Sequence, residues 1–122
     1  VTTIDLTLER EIQADVVEIY EHLGLKVVSF SQYRRGSGTG QTPGIADLKV
    51  YCERKGLTWW HEVKTPTGVQ SKEQREFELM VRACHEDYLL GGTKAALDHL
   101  QLVGVLSADG RSILEQRRAK PR

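Results

Sequence analysis

Asp47 ends the turn Pro43-Gly44-Ile45-Ala46 and opens the apolar run Leu48-Lys49-Val50-Tyr51; the next run, Trp60-His61-Glu62-Val63-Lys64, sets an acid and a lysine two residues apart. Strand side chains alternate faces, so Glu62 and Lys64 point the same way, about 7 Å apart along the backbone. If the two runs pair as neighbouring strands, Asp47 joins them. Two carboxylates and an ammonium on one patch are unfavourable to bury unless a cation and an anionic substrate complete the set. The combination points to metal-dependent phosphodiester chemistry. Each residue also has a plainer explanation. Asp is a common turn residue, and Glu62 with Lys64 could be an ion pair on an exposed strand face. On strands rich in Trp, Val, Leu and Ile that explanation weakens, because a strand flanked by helices keeps charge out of its centre.

The elements that must hold these residues are legible from periodicity. Leu8, Ile12, Val16, Ile19 and Leu23 form an amphipathic stripe, which predicts a helix over residues 8–23 stopped by Gly24. Lys26–Ser31 reads as a strand, and residues 32–43, with Gly36, Gly38, Gly40 and Pro43, as a loop. Ala46–Cys52 and Leu57–Lys64 read as an antiparallel hairpin about the turn Arg54-Lys55-Gly56. Ser71-Lys72-Glu73-Gln74 is a capping box, and Phe77, Met80, Val81 and Cys84 continue it as a helix over 72–85. A short strand, Asp87–Leu90, a turn at Gly91-Gly92, and a helix capped by Thr93 and running to Gln101 follow. Residues 102–106 read as strand or packed loop, and Ser112–Ala119 as a last helix. The order α-β-β-β-α-β-α predicts an α/β fold with a mixed central sheet flanked by helices.

One domain over residues 1–122 is expected from the length. Cys52 and Cys84 read as small buried hydrophobes in a reducing compartment. No apolar run suits a membrane span. The net charge is zero, but it is unevenly spread. Residues 1–24 hold six acids and one base, residues 25–64 seven bases and three acids, and residues 111–122 five bases and one acid. A basic centre and a basic tail can bind phosphates even in a neutral chain. Arg34, Arg35 and Lys49 are the natural contacts, since no acid occurs between Ser31 and Thr42 and glycine lets a backbone approach closely. Gly-Ser-Gly-Thr-Gly is not a dinucleotide fingerprint, because no helix follows it. His61 points away from Glu62 and reads as packing. His22, His85 and His99 lack ligand spacing and read as surface or boundary residues, and Trp59 and Trp60 as core and hairpin packing.

Taken in order, Gly-Ile-Ala-Asp, then Glu-Val-Lys with its acid fifteen residues after the Asp, then Ser-Lys-Glu-Gln opening a helix, resembles the PD-(D/E)XK nuclease pattern. Within that superfamily the chain is similar to the VRR-Nuc family. The flanking strings Gln41-Thr42-Pro43-Gly44, Thr65-Pro66-Thr67-Gly68 and Tyr88-Leu89-Leu90-Gly91-Gly92 carry the resemblance over residues 8–101. Ala46 stands where the pattern has proline, a change in backbone stiffness and not in ligands.

The resemblance implies an endonuclease that cleaves DNA with Mg²⁺ or Mn²⁺. Asp47, Glu62 and the carbonyl of Val63 would hold the ion, and Lys64 would position a water and stabilise the transition state. It also implies a glutamate from the first helix. Glu9 and Glu11 are both candidates: at about 100° per residue Glu9 falls about 60° from the centre of the apolar stripe and about 20° from Val16, whereas Glu11 falls about 100° from that centre, on the solvated side with Asp15 and Glu18. The family's spacing selects Glu9 as well; an acid favoured by the helix dipole is the plainer alternative. Gln74 would stand beside the site while closing its capping box. Branched DNA (a four-way junction or flap), a repair or recombination role in a bacterial or phage-infected cytoplasm, and a homodimer through residues 102–106 or the second helix complete the expectation. The rivals are a non-catalytic DNA-binding module with the same fold and a small α/β interaction domain.

Overall fold

The computed structural model describes residues 3–30 and 42–119, with side chains from Leu8 onward. Helix α1 spans Thr3–His22, starting earlier than the apolar stripe that predicts it. Strands β1 (Lys26–Ser29), β2 (Leu48–Cys52), β3 (Leu57–Val63) and β4 (Asp87–Gly91) form one sheet in the order β1-β2-β3-β4. A short 3-10 turn, Glu53–Lys55, joins β2 to β3. Helix α2 (Lys72–Ala83) connects β3 to its parallel neighbour β4, while the other two pairings are antiparallel. Helices α3 (Thr93–Leu102) and α4 (Ala108–Ala119) follow. The sheet is mixed, as the element order predicts.

Alternation along β3 divides the interior. Trp59 and Val63 face α1 and α3, in a core with Val16, Ile19, Tyr20, Leu48, Val50, Leu97 and Leu100. Trp60 faces α2, in a smaller cluster of Ala46, Phe77, Val81 and Tyr88. Helices therefore cover both faces. No described helix is long and apolar enough to cross a membrane.

Several local expectations give way. The cap of α3 is Gly92, with no side-chain hydrogen bond, and Thr93 is already helical. Of the two readings open for the segment after α3, residues 103–106 take the packed loop: Val103 and Val105 lie against the main core and Leu106 is buried. Helix α4 starts at Ala108, where Ser107 Oγ accepts from Gly110 N at 2.9 Å. Cys52 is buried, but Cys84 ends α2 exposed. His99 is buried edge-on to Trp59, with ring centroids 4.5 Å apart, so it belongs to the core and not the surface.

Candidate metal centre

The site is built from the hairpin outward. The register pairs Leu48 with His61, and carrying it one residue further sets Asp47 across from Glu62. Strand β1 fixes the same point, since Phe30 N donates to Asp47 O at 2.8 Å. Asp47 Oδ2 accepts from Val63 N at 2.9 Å, so the carboxylate is oriented by the strand beside it. Asp47 is 2 % exposed and Glu62 0 %, burial that the bland strand-face reading does not allow.

Glu62 is held from α2. The Ser71 hydroxyl accepts from Gln74 N at 3.1 Å, and Gln74 Oε1 accepts from Ser71 N at 2.8 Å, which closes the capping box. The other end of the same amide, Nε2, donates to Glu62 Oε2 at 2.8 Å. Lys64, with its side chain 13 % exposed, brings its Nζ to 3.8 Å from that oxygen. From α1, half-buried Glu9 reaches the same place. One ligand oxygen each from Glu9, Asp47 and Glu62 lies within 4.8 Å of the others. Glu11 is exposed and takes no part in this group.

Three carboxylates at that spacing repel one another, and a hard divalent cation among them turns the repulsion into binding. The all-oxygen donor set fits magnesium or manganese chemistry. The field of the cluster reaches Tyr88, whose hydroxyl pKa is raised, first by burial and then by the charge of Glu62. Gln70 Nε2 donates to that hydroxyl at 3.2 Å.

The opposite face of β3 braces the site. Trp59 Nε1 donates to Tyr20 Oη at 3.2 Å. Tyr20 Oη and His61 Nδ1 are 2.8 Å apart, and His61 Nε2 lies 3.0 Å from Gly91 O. A carbonyl can only accept, so Nε2 carries the proton and Nδ1 accepts from the tyrosine. Burial lowers the His61 pKa to about 4, which keeps the ring neutral. Gly91 O also accepts from Lys64 N at 3.3 Å, so the strand end that bears Lys64 is pinned to the end of β4.

The structure does not bring Lys49 to a phosphate-binding surface. It is 6 % exposed, with Nζ 4.5 Å from the Trp60 ring centre and 3.8 Å from Glu86 Oε2. A lysine across the strand pair from a tryptophan is the sequence signal for that arrangement. Arg34 and Arg35 lie outside the described residues. No sequence pattern marks Phe30, yet it follows β1, ties it to Asp47 and packs on Trp60 at a centroid distance of 5.8 Å.

A solved structure described as a VRR_NUC domain is similar to this chain, with a TM-score of 0.58 and 26 % identity, covering 75 % of this chain and 91 % of that one. No family model and no curated protein matches the sequence.

Proposed function

The chain belongs to the VRR-Nuc domain family, and from that premise we propose that it is a divalent-metal-dependent endodeoxyribonuclease. The observation that carries the reading is the convergence of Glu9, Asp47 and Glu62 within 4.8 Å, with the Lys64 ammonium beside Glu62. Asp47 and Glu62, with Glu9 and the carbonyl of Val63, would hold Mg²⁺ or Mn²⁺. Such an ion, when bound, acidifies a water and neutralises charge on the scissile phosphate. The remaining work falls to the chain's own groups. Gln74 fixes the direction in which Glu62 presents its oxygens. Lys64 orients the attacking water and meets the negative charge that grows on the phosphoryl oxygens, where a preorganised cation is worth most. Arg34 and Arg35 contact the phosphates flanking the cut.

The preferred substrate in this reading is branched DNA, a four-way junction or flap. Cutting a junction symmetrically takes two sites related by a two-fold axis, so we infer a homodimer. We further propose that the activity serves repair or recombination in the cytoplasm of a bacterial or phage-infected cell. The test is a cleavage panel of single-stranded, duplex, flap and junction DNA with Mg²⁺ or Mn²⁺, run beside Lys64→Ala, with light scattering for mass. Cleavage that needs the metal and falls by several orders of magnitude in the variant supports the reading. DNA binding without cleavage would reduce the protein to a binding module, and a monomer mass would favour flaps over junctions.

A further inference from the structure

Lys64, which stands beside the carboxylates, also lines a cavity of about 440 Å³. The same lysine brings its Nζ to 3.8 Å from Glu62, so the cavity and the carboxylate cluster share one residue. Ile12 from α1, Pro66 from the loop after β3 and Leu90 from β4 give it apolar walls, the kind of surface that takes a sugar and a base. Gly92 keeps it open: a Cβ there would come within 3.1 Å of Ile12 Cγ2. On its wall, Gly91 O accepts from His61 Nε2 and Lys64 N at 3.0 and 3.3 Å. At the rim stands Lys94, its side chain 83 % exposed, paired at 2.8 Å with Asp98 one helical turn on. An exposed pair of that kind contributes little and yields readily to a phosphate. A cavity of about 500 Å³ between α1 and α4 is different, for Arg118 at its edge is committed to Asp15 and Glu18.

We propose that the cavity seats the nucleotide next to the scissile phosphate, and that Lys94 contacts that nucleotide's outer phosphate. The inference rests on the nuclease reading above and adds a subsite to it. The experiment uses a DNA that the wild-type protein cleaves, rebuilt with a single abasic nucleotide or a single neutral methylphosphonate linkage at each position around the cut. One abasic position and the linkage beyond it should each slow the wild type about tenfold, the scale of one lost charge-assisted contact. Lys94→Ala should be slower by a similar factor and then indifferent to that methylphosphonate. Leu90→Trp, made at a half-exposed position, should fill the cavity and raise KM. Circular dichroism reports whether each variant is folded, and if Leu90→Trp is not, the exposed Lys94 decides. Wild-type rates and an unchanged methylphosphonate response in Lys94→Ala would overturn the subsite while leaving the nuclease reading standing. A wild type that cleaves no DNA would overturn both, and that is seen before any variant is made.

Discussion

Replacing Gly44 with alanine should be among the most damaging small changes in this chain. Gly44 sits at φ +77° in the turn before Asp47, and a Cβ there would lie 2.7 Å from Gln74 N and closer still to the carbonyl of Glu73. Two costs add. Holding alanine in the left-handed region takes about 1–2 kcal/mol. The collision is with the backbone of the first turn of α2, which no rotamer change relieves, and overpacking of that kind costs about 1–3 kcal/mol. The total is about 2–5 kcal/mol. Gly56 supplies the control: its φ is +64°, but an added Cβ would meet nothing within 4 Å, so Gly56→Ala should cost only the first part. Urea unfolding followed by tryptophan fluorescence measures both, and the comparison holds if the dependence on denaturant is the same for the two variants. The excess at Gly44, about 1–3 kcal/mol, is the steric penalty of forcing a side chain between the Asp47 turn and α2. In protein that remains folded, Mn²⁺ affinity should fall as well, because the displaced turn carries Asp47 and the displaced helix carries Gln74. Equal losses at Gly44 and Gly56 would refute the claim that the turn is seated against the helix.

Asp47→Ala strands the buried Val63 N–H and should lose about 1–3 kcal/mol of stability; Asp47→Asn keeps an acceptor and removes one of three converging charges, so thermal melting should show it at least as stable as wild type, although calorimetry should detect no Mn²⁺ binding by either. Gln74→Glu retains a capping-box residue but sets a carboxylate against Glu62 Oε2, so helicity should persist while stability falls by about 1–3 kcal/mol and partly returns on adding Mn²⁺. Burial holds the His99 pKa below its ordinary value of 6.5; the unfolded chain then takes the proton first, so His99 contributes stability above that value that is lost as pH falls, and His99→Phe should flatten the decline in urea midpoint below about pH 6.5. Arg118→Ala breaks two partly exposed ion pairs, at 3.0 and 2.8 Å, and should cost no more than about 1 kcal/mol, less in high salt, whereas Leu114→Ala on the same helix should cost about 2–5 kcal/mol.

Much of this arrangement is legible in the sequence because period-two and period-3.6 patterns fix which face a residue shares. The alternation of β3 puts Glu62 with Lys64 and sends His61 the other way. The angle on α1 separates Glu9 from Glu11, and the capping box locates Gln74. What patterns do not carry is depth. A lysine reads as surface by type, yet Lys49 is buried because Trp60 and Glu86 receive its charge. His99 reads as a boundary residue, yet it fills the space beside Trp59. Cys84 continues the apolar spacing of α2 but falls at its exposed end. The bond from Gln74 to Glu62 joins two elements whose separation no local pattern encodes.

Adjacent tryptophans on β3 enter opposite cores, Trp59 under α1 and α3 and Trp60 under α2. A hairpin displaced by one residue would exchange the faces of every side chain on that strand. Each core would still receive a tryptophan, but Glu62 would be carried into the main core, to the side that His61 occupies beside Tyr20. The tryptophans are thus interchangeable in such a slip, and its cost falls on the carboxylate placed among apolar side chains. The alignment that keeps Glu62 out of the main core is the same one that sets it across from Asp47, so the stability of the core and the assembly of the acids favour one register.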